Sequence, residues 1–458
     1  MAKLVFPDNF VWGAATASYQ IEGAVDVDGR LPSIWDTYSA ISGNTLNGDT
    51  GAVACDHYHR YPQDIQLMKE QLGIKAYRFS IAWPRIIPTG TGAVNPKGLD
   101  FYDRLVDSLL EAGITPYATL YHWDLPQTLE DQGGWPWRGI VDAYVNYADV
   151  VSKHLGDRVK HWMTFNEPWV FTFVGYTVGR HAPGRTSWQD YLAGIHHFLL
   201  AHAGAVPVIR ENCENADVGV VVNLAWADPA TDSADDVAAA GRQMSFQNRW
   251  LLDPMYFGEY PSDLLEIYGE AGLLPDIQAG DLAKIHRDGK PDFLGINFYF
   301  REVLKYQAGD NILNTAHVSQ VGKREHTKMG WEVSPEGIYN VLKWTHNAYK
   351  VDRLFITENG AAFDDEVTVD ADGTKHVHDA RRVAYYQAYI AEVHRAIQDG
   401  VPLEGYFAWS LLDNFEWGYG YDRRFGIIRV DYDTQERIVK DSGKWYSQVV
   451  RNNGFEVE

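Results

Sequence analysis

Two glutamates stand at the ends of apolar, β-like segments of the 458-residue chain and are the strongest candidates for chemistry. The segment His161-Trp-Met-Thr-Phe-Asn-Glu-Pro168 leads to Glu167, and Leu354-Phe-Ile-Thr-Glu-Asn-Gly360 leads to Glu358. A single glutamate at a strand end is more often the partner in a structural ion pair. Two of them, each next to an asparagine and followed by a chain-turning proline or glycine, indicate a pair of catalytic carboxyl groups.

The elements that would position these glutamates alternate in type along the chain. Helical patterns separate the β-like runs, as after Asn95 and Pro96, where an N-cap and a proline at N1 begin a helix that stops at Gly113. Eight runs are predicted as strands: 10–18, 74–83, 115–122, 161–166, 217–224, 292–299, 354–357 and 403–410. Glu167 and Glu358 therefore close the fourth and seventh strands.

This alternation predicts an α/β fold, a single (β/α)8 TIM barrel over residues 1–458, with long βα loops that form the mouth of the active site. An open doubly wound sheet is the alternative. It usually carries a glycine-rich phosphate turn after its first strand, whereas this strand leads into Ala15-Thr-Ala-Ser-Tyr-Gln20. No linker divides the chain, and the polar stretches 228–236, 276–290 and 364–379 are predicted as loops or short helices between barrel elements.

Charge and cysteine content exclude several classes of partner. The 40 Lys and Arg against 62 Asp and Glu give a net charge of −22, which disfavours nucleic acid and anionic membrane surfaces. Two cysteines, Cys55 and Cys213, cannot form a disulfide framework. The N-terminus lacks the apolar run of a signal peptide, and the apolar stretch 191–209 contains three histidines and Pro207, so we interpret it as a packed helix. We expect a soluble, cytoplasmic protein.

Aromatic residues are abundant, at 14% of the chain. Most of them are expected in the core. Aromatic faces also stack on the apolar C–H faces of sugars, while the indole N–H and phenol O–H groups remain free to form hydrogen bonds. The excess therefore adds an indication of a carbohydrate ligand.

The sequence around the two glutamates resembles that of glycoside hydrolase family 1, the β-glucosidase family. The paired signatures of this family are similar to Asn166-Glu167-Pro168 and Thr357-Glu358-Asn359-Gly360. Further family-like motifs follow in order along nearly the whole chain: residues 6–23, Tyr77-Arg-Phe-Ser-Ile-Ala-Trp83, Tyr121-His-Trp-Asp-Leu-Pro126, Gly295-Ile-Asn-Phe-Tyr299 and Trp409-Ser-Leu-Leu-Asp-Asn-Phe-Glu-Trp417. The family fold is the barrel that the strand count predicts independently.

The resemblance implies that Glu358 is the nucleophile and Glu167 the general acid/base of a retaining glycosidase, whose two carboxyl groups lie about 5–5.5 Å apart. Glu358 must be ionised. Arg78 is the candidate cation, because an arginine inside an apolar strand is costly to bury without a carboxylate, although another acidic residue could be its partner. The charge of Glu358 raises the pKa of Glu167, which starts protonated. A bell-shaped pH profile of kcat/KM is expected, with limbs that belong to the pair.

The resemblance also implies which residues bind the sugar. Asn166 is expected to bind the 2-hydroxyl group. Asn297 and Tyr299 are two apart on one strand and share a face, and the Tyr299 hydroxyl is expected to orient Glu358. The remaining expected ligands of the sugar are Gln20, His122, Trp409, Glu416 and Trp417.

Two tryptophans are expected on the leaving-group side of the site. Trp331 resembles the usual aromatic platform of the family, and Trp169 stands just after the Asn-Glu-Pro motif, where many relatives soon have a cysteine. Phe173 and Tyr176 either join this side or pack in the core, and the sequence does not separate these alternatives.

Two features narrow the substrate to an unphosphorylated O-β-glycoside. Relatives that act on 6-phosphorylated sugars have Ser, Lys and Tyr in the region of Glu416, where a carboxylate would repel phosphate and accept hydrogen bonds from hydroxyls. Thioglucosidase relatives lack the acid that Glu167 supplies here. We expect hydrolysis of terminal non-reducing β-D-glucosyl residues of small O-glycosides or cello-oligosaccharides, with β-galactosides or β-fucosides also accepted. The natural aglycone and the oligomeric state stay open.

Metal catalysis and a non-catalytic sugar-binding barrel are the competing hypotheses. The chain has no HExxH motif, and the pairs His57/His59 and His376/His378 lie in predicted loops, where solvated histidines are the better interpretation. A binding-only barrel predicts the loss of one carboxyl group, and both are present. No metal or cofactor is expected, and the expected partner is the small-molecule substrate.

Overall fold

The computed structural model describes residues 2–457, with side chains described for 3–456. Eight parallel strands form a closed barrel in which each strand pairs with the next and the eighth pairs with the first. The barrel strands are β1 (Val11–Ala15), β2 (Ala76–Ser80), β3 (Thr115–Tyr121), β4 (His161–Asn166), β5 (Asp217–Asn223), β6 (Phe293–Asn297), β7 (Leu354–Asn359) and β8 (Leu403–Trp409). The predicted barrel is confirmed, with strand ends that differ by a few residues.

The barrel strands are buried on both faces, as expected for a parallel sheet that helices cover. Every residue of β2, β6 and β7 is buried. The polar residues Asn166, Asn297 and Glu358 lie at or next to the carboxyl ends of their strands, which is the catalytic face of this fold. Arg78, in the middle of β2, is completely buried and must find its partner inside the barrel.

Helices surround the barrel. The longer ones are His57–Leu67, Pro96–Glu111, Ile140–Leu155, Trp188–Asn212, Ala234–Met244, Trp250–Phe257, Ser262–Glu270, Asp281–Asp288, Pro335–Tyr349, Ala380–Gln398 and Asp441–Asn452. The remaining helical segments, some of them π or 3₁₀, are Ser18–Ile21, Ile34–Ser39, Leu46–Gly48, Met68–Leu72, Trp83–Ile86, Gln127–Glu130, Val170–Val178, Ser245–Arg249 and Trp417–Tyr419. The helix Pro96–Glu111 begins with Pro96 at N1 as predicted. The Asn95 side chain does not cap this helix, because it donates to the carbonyls of Asp28 and Arg85 instead.

Two of the stretches predicted as loops or short helices contain strands that lie outside the barrel. Ala227–Pro229, Glu302–Tyr306 and Thr315–His317 form a three-stranded sheet, and Val367–Val369 pairs with Lys375–Val377 in a hairpin. The stretches 228–236 and 364–379 therefore contain strand residues as well as loop. Each of these strands has only three residues within or beside the stretch, which is too short to show an alternating pattern. Two further antiparallel pairs join Ala2–Val5 with Gly454–Val457 and Ile428–Val430 with Arg437–Val439.

The helix Trp188–Asn212 includes the long apolar stretch noted above. It is long and apolar enough to cross a membrane, but 83% of its most apolar window is buried inside the protein. His196 and His202 in this helix are buried and hydrogen-bonded, to Tyr260 and Asp281 and to Thr164 and Gly289 respectively. The interpretation as a packed helix agrees with this arrangement.

Both histidine pairs depart from the predicted loops, because His57 and His59 lie in the helix His57–Leu67 and His376 lies in the strand Lys375–Val377. His57 begins the helix His57–Leu67, is buried, and its Nδ1 lies 2.7 Å from Asp64 Oδ2. Residues 57 and 64 are two helical turns apart and share a face, so the buried ring has a charged partner. His59 is exposed, as expected. Within residues 2–457 no group of three or more His, Cys, Asp or Glu side chains is arranged to hold a metal ion.

Substitution of Gly360 by alanine is expected to destabilise the barrel. A Cβ at Gly360 would lie 1.7 Å from the carbonyl oxygen of Trp409, a backbone atom that cannot move aside alone. We expect a loss of about 1–3 kcal/mol in the free energy of unfolding, as for other overpacked cores. The matched control is Gly241→Ala, in the interior of the helix Ala234–Met244 with no atom within 4 Å of the new Cβ. Alanine should stabilise that helix by up to about 1 kcal/mol. Denaturant unfolding measures both, and equal stability of the two variants would contradict the account.

Candidate active site

Both candidate glutamates line one cavity of about 750 Å³ at the carboxyl ends of the barrel strands. Glu167 directly follows β4 and is 6% exposed, and Glu358 lies in β7 and is 3% exposed. The Glu167 backbone has φ of +48°, an unusual value for a residue with a side chain, and its N–H donates to the Val221 carbonyl at 2.9 Å. Such a strained backbone conformation is kept only where the surrounding structure stabilises it, and residues in such conformations cluster at functional sites.

Arg78 is the ion-pair partner of Glu358. Its Nη1 donates to Glu358 Oε1 at 2.6 Å, and the two side chains are 0% and 4% exposed. The hydroxyl of Tyr299 donates to the other carboxylate oxygen at 2.7 Å. The sequence left open whether Arg78 pairs with a different acidic residue, and the structure resolves this in favour of Glu358.

Glu167 has a neutral partner instead. The Asn297 amide donates to Glu167 Oε1 at 2.7 Å and also contacts the amide oxygen of Asn166 at 3.0 Å. Arg78 Nη2 donates to the same Asn166 oxygen at 2.7 Å. The two glutamates are therefore joined through one hydrogen-bonded network, but only Glu358 contacts a cation within it.

This difference separates the two carboxyl groups electrostatically. Burial, followed by the negative charge of Glu358, raises the pKa of Glu167 to about 8, although the hydrogen bond from Asn297 lowers it. Burial also raises the pKa of Glu358, while Arg78 and Tyr299 lower it. Because Glu358 has the cation and Glu167 has none in contact, the first proton leaves Glu358, and Glu167 stays protonated at neutral pH.

Gln20 and His122 present unpaired polar atoms in this region. Gln20 Nε2 donates to the Phe415 carbonyl at 2.8 Å, and its Oε1 is buried without a partner. The Asn166 amide nitrogen lies 3.1 Å from His122 Nε2. Since the Asn166 oxygen accepts two hydrogen bonds, His122 Nε2 is the acceptor and the ring proton is on Nδ1, which is buried without a partner. Burial, then Arg78, lowers the pKa of His122 far below its usual range.

Glu416 lines the cavity next to Gln20, with 3.5 Å between its Oε2 and Gln20 Nε2. Burial and the charge of Glu358 raise its pKa to about 8. The expectation that an ionised Glu416 repels phosphate is therefore modified, because the group is largely protonated at neutral pH in the free cavity. A carboxylic acid still supplies no positive charge to a phosphate, and it can both donate to and accept from sugar hydroxyls.

Aromatic residues form much of the cavity wall. The His122 and Trp409 rings are stacked with centroids 5.9 Å apart, and Trp417 packs against Trp123 at 4.5 Å. On the other side Trp331 packs against Tyr299 and Phe300, each at 5.1 Å.

The predicted site residues thus fall into two groups. The residues lining the cavity are His122, Glu167, Trp169, Asn297, Tyr299, Trp331, Glu358, Trp409, Glu416 and Trp417. Gln20, Arg78 and Asn166 are completely buried next to the cavity and are hydrogen-bonded to residues that line it. Of the two undecided aromatics, Tyr176 is completely buried and donates to Glu130, and Phe173 packs beside Trp169 and Phe246. Neither lines the cavity: Tyr176 belongs to the core, and Phe173 is partly buried and packs against it.

The cavity is also lined by polar residues that the sequence patterns do not single out, among them Asn44, Arg180, His181, Asn223, Gln247 and Glu302. Asn223 ends β5, so the rule that barrel sites lie at the carboxyl ends of strands would have found it. Gln247 lies in a π-helical segment and Glu302 in a strand outside the barrel, and neither position follows from a motif.

Comparisons with known proteins agree with this geometry. The family model described as glycosyl hydrolase family 1 matches residues 2–455. Beta-glucosidase A of Thermotoga maritima is 51% identical over 98% of this chain and 99% of its own. A bifunctional beta-D-glucosidase/beta-D-fucosidase of Bifidobacterium breve is 42% identical over 98% and 99%. A solved structure of the family 1 β-glucosidase from Thermotoga maritima, 49% identical, superposes with a TM-score of 0.95 and covers all of both chains. The chain therefore belongs to glycosyl hydrolase family 1.

Proposed function

We propose that the protein is a retaining β-glucosidase that hydrolyses terminal non-reducing β-D-glucosyl residues of small O-glycosides and cello-oligosaccharides. One observation carries the proposal. Two buried carboxyl groups share a cavity and a hydrogen-bonded network, but Glu358 is paired with Arg78 whereas Glu167 is bonded to the neutral Asn297 amide. One group is thereby prepared to attack and the other to donate a proton.

In the first step a Glu358 carboxylate oxygen attacks the anomeric carbon while Glu167 transfers its proton to the glycosidic oxygen. The bond between the anomeric carbon and that oxygen breaks, and the leaving group departs as an alcohol. A covalent glycosyl ester forms on Glu358, and its negative charge disappears. Arg78 and Tyr299 hold the carboxylate for the attack, each through a hydrogen bond to a separate oxygen.

In the second step Glu167 works in the opposite direction. Burial raises the pKa of Glu167 most and the charge of Glu358 raises it further, so loss of that charge lowers the pKa and lets Glu167 act as a base. It takes a proton from water, whose oxygen attacks the anomeric carbon from the side that the leaving group vacated, while the bond between that carbon and Glu358 breaks and releases Glu358 as a carboxylate. Two displacements at one carbon give net retention of configuration.

The unpaired atoms beside the catalytic pair support binding of a neutral sugar. Gln20 Oε1 accepts, His122 Nδ1–H donates, and Glu416 can do both, which together matches the donor and acceptor character of hydroxyl groups. We also propose that β-fucosides and β-galactosides are accepted. The bifunctional name of the Bifidobacterium relative supports the first of these.

We further propose that the enzyme acts in the cytoplasm on small molecules, without nucleic acid or membrane partners. Cys55 and Cys213 are both free and buried, which suits a reducing compartment. The net charge of −22 supports the absence of polyanionic partners. Cell fractionation with an activity assay tests the location, and activity confined to a membrane or external fraction would contradict it.

Replacement of Glu358 by alanine is expected to lower kcat for an aryl β-glucoside by ~10³-fold or more, because the attacking group is lost. Steady-state hydrolysis measures the loss. The matched control is Glu404→Ala. Glu404 lies near the start of β8, at the opposite end of the barrel, and pairs with Arg353 at 2.8 Å. The control should remain near wild-type activity. Near-native turnover by Glu358→Ala would show that the nucleophile is another group.

The loss of activity on replacement of Glu167 by alanine is expected to depend on the leaving group of the substrate. With a poor leaving group kcat/KM should fall by about 10²–10⁴-fold, since the departing oxygen needs a proton. With a dinitrophenolate, which leaves without one, kcat/KM should change little while kcat falls, because the second step still needs a base. Glycosyl-enzyme should then accumulate and be visible by mass spectrometry of the intact protein. Equal losses of kcat/KM across a series of aryl glucosides would exclude Glu167 as the acid.

A further inference from the structure

Four of the expected ligands of the cleaved sugar occupy one half of the barrel mouth, whereas Asn297 ends β6 and is bonded to Glu167. Gln20 follows β1, His122 follows β3, and Trp409 and Glu416 belong to the end of β8 and the loop after it. The catalytic pair marks the boundary of this half, with Glu167 after β4 and Glu358 on β7. Because the strands run in order around the ring, β5 and β6 lie between the two glutamates on the opposite side. The leaving group must therefore lie toward the loops after β5 and β6.

Glu302 is a largely buried carboxyl group on that opposite side, and burial raises its pKa, although His317 and Gln243 lower it. It begins the strand Glu302–Tyr306 after β6, and its backbone N–H donates to the Trp226 carbonyl at 2.8 Å, which fixes it beside the loop after β5. Its side chain is 13% exposed and lines the cavity, and its Oε2 has no hydrogen-bond partner. The other oxygen lies 3.8 Å from Nε2 of the exposed His317. A buried oxygen without a partner is unfavourable unless a ligand supplies the hydrogen bond.

Two neighbouring lining residues also have buried atoms without partners. The amide oxygen of Asn223 is an acceptor, and the indole nitrogen of Trp169 is a donor. The rings of Phe300 and Trp331 stack at 5.1 Å and complete this half of the wall. Two acceptors, one donor and aromatic faces match the hydroxyl groups and apolar C–H faces of a pyranose ring.

The cavity has room for such a ring in addition to the cleaved sugar. Its volume of about 750 Å³ lies in the range that accommodates drug-sized ligands, larger than one monosaccharide. Glu302 is the only one of these five contacts whose side chain can ionise. In its ionised form it disfavours leaving groups that carry a negative charge.

We propose that Glu302 is a specificity-determining residue, which accepts a hydrogen bond from a hydroxyl group of a sugar in the leaving group. It thereby favours neutral oligosaccharides over aryl glucosides and over sugars that carry a carboxylate. This inference rests on the proposed β-glucosidase function and identifies the leaving-group class within it. Substitution of Glu302 should therefore change kcat/KM, because this constant covers the steps up to departure of the leaving group. The second step takes place after that group has left.

The test compares substrates within each variant. For Glu302→Ala the ratio of kcat/KM for cellotriose to that for phenyl β-D-glucoside should fall about tenfold, the effect of losing one hydrogen bond to a charged group. For Glu302→Gln, which keeps an acceptor and removes the charge, this ratio should fall less. In the same variant, kcat/KM for glucosyl-β-1,4-glucuronate should rise several-fold relative to that for cellobiose. The matched control is Glu325→Ala. Glu325 is an exposed glutamate, paired with Arg381, that does not line the cavity, and the variant should keep wild-type ratios.

Ratios unchanged from wild type in both Glu302 variants, with phenyl glucoside still hydrolysed, would overturn the inference and leave the proposed function intact. A wild-type enzyme that hydrolyses none of these glucosides would overturn both. Thermal unfolding of each variant shows whether it is folded. If Glu302→Ala fails to fold, the test rests on Glu302→Gln. In that variant, an unchanged ratio of kcat/KM for glucosyl-β-1,4-glucuronate to kcat/KM for cellobiose counts against the role of Glu302.

Discussion

The ion pair between Arg78 and Glu358 is the interaction on which the rest of the site depends. Both side chains are almost completely excluded from solvent, where an uncompensated charge of either sign would be strongly unfavourable. The pair keeps a carboxylate ionised in a buried cavity, and the retained charge in turn keeps the neighbouring Glu167 protonated. In the proposed mechanism this single buried cation determines which of the two glutamates attacks and which donates a proton.

The barrel provides the geometry for this arrangement. Arg78 on β2 reaches across the barrel interior to β7 and to Asn166 at the end of β4, so one guanidinium connects three strands. Asn297 at the end of β6 extends the network to Glu167. Each side chain is held by a strand that is itself buried on both faces, and this rigidity is what a catalytic pair requires. The loops around this centre supply the aromatic wall of the cavity and the residues that are proposed to contact the leaving group.

The barrel and the positions of the two glutamates on it could be predicted from the sequence, and the reasons are physical. Eight apolar runs separated by capped helical patterns allow few folds, and strand-end carboxyl groups in a barrel converge on one face. The ordered motifs then assigned roles to Gln20, His122 and Glu416, which the structure brings to the same half of the mouth. The partner of Arg78 required the structure, because several acidic residues were possible in principle.

Other features depended on contacts that no local pattern encodes. The burial of His57 requires Asp64 two turns later to be on the inner face of the same helix. Glu302 and Gln247 reach the cavity only because a three-stranded sheet outside the barrel brings the loops after β5 and β6 together. The protonation of Glu416 follows from burial next to Glu358, which raises its pKa and changes the electrostatic argument against phosphorylated sugars.

The most direct test is a measurement of the pKa of Glu167 by carbon NMR of glutamate-labelled protein, in the wild type and in Glu358→Gln. Because burial and the charge of Glu358 together raise this pKa, we expect a value of about 8 in the wild type and a lower value in the variant. A wild-type Glu167 that titrates near the ordinary range of glutamate, or a pKa that does not move when Glu358 loses its charge, would contradict the division of roles between the two carboxyl groups.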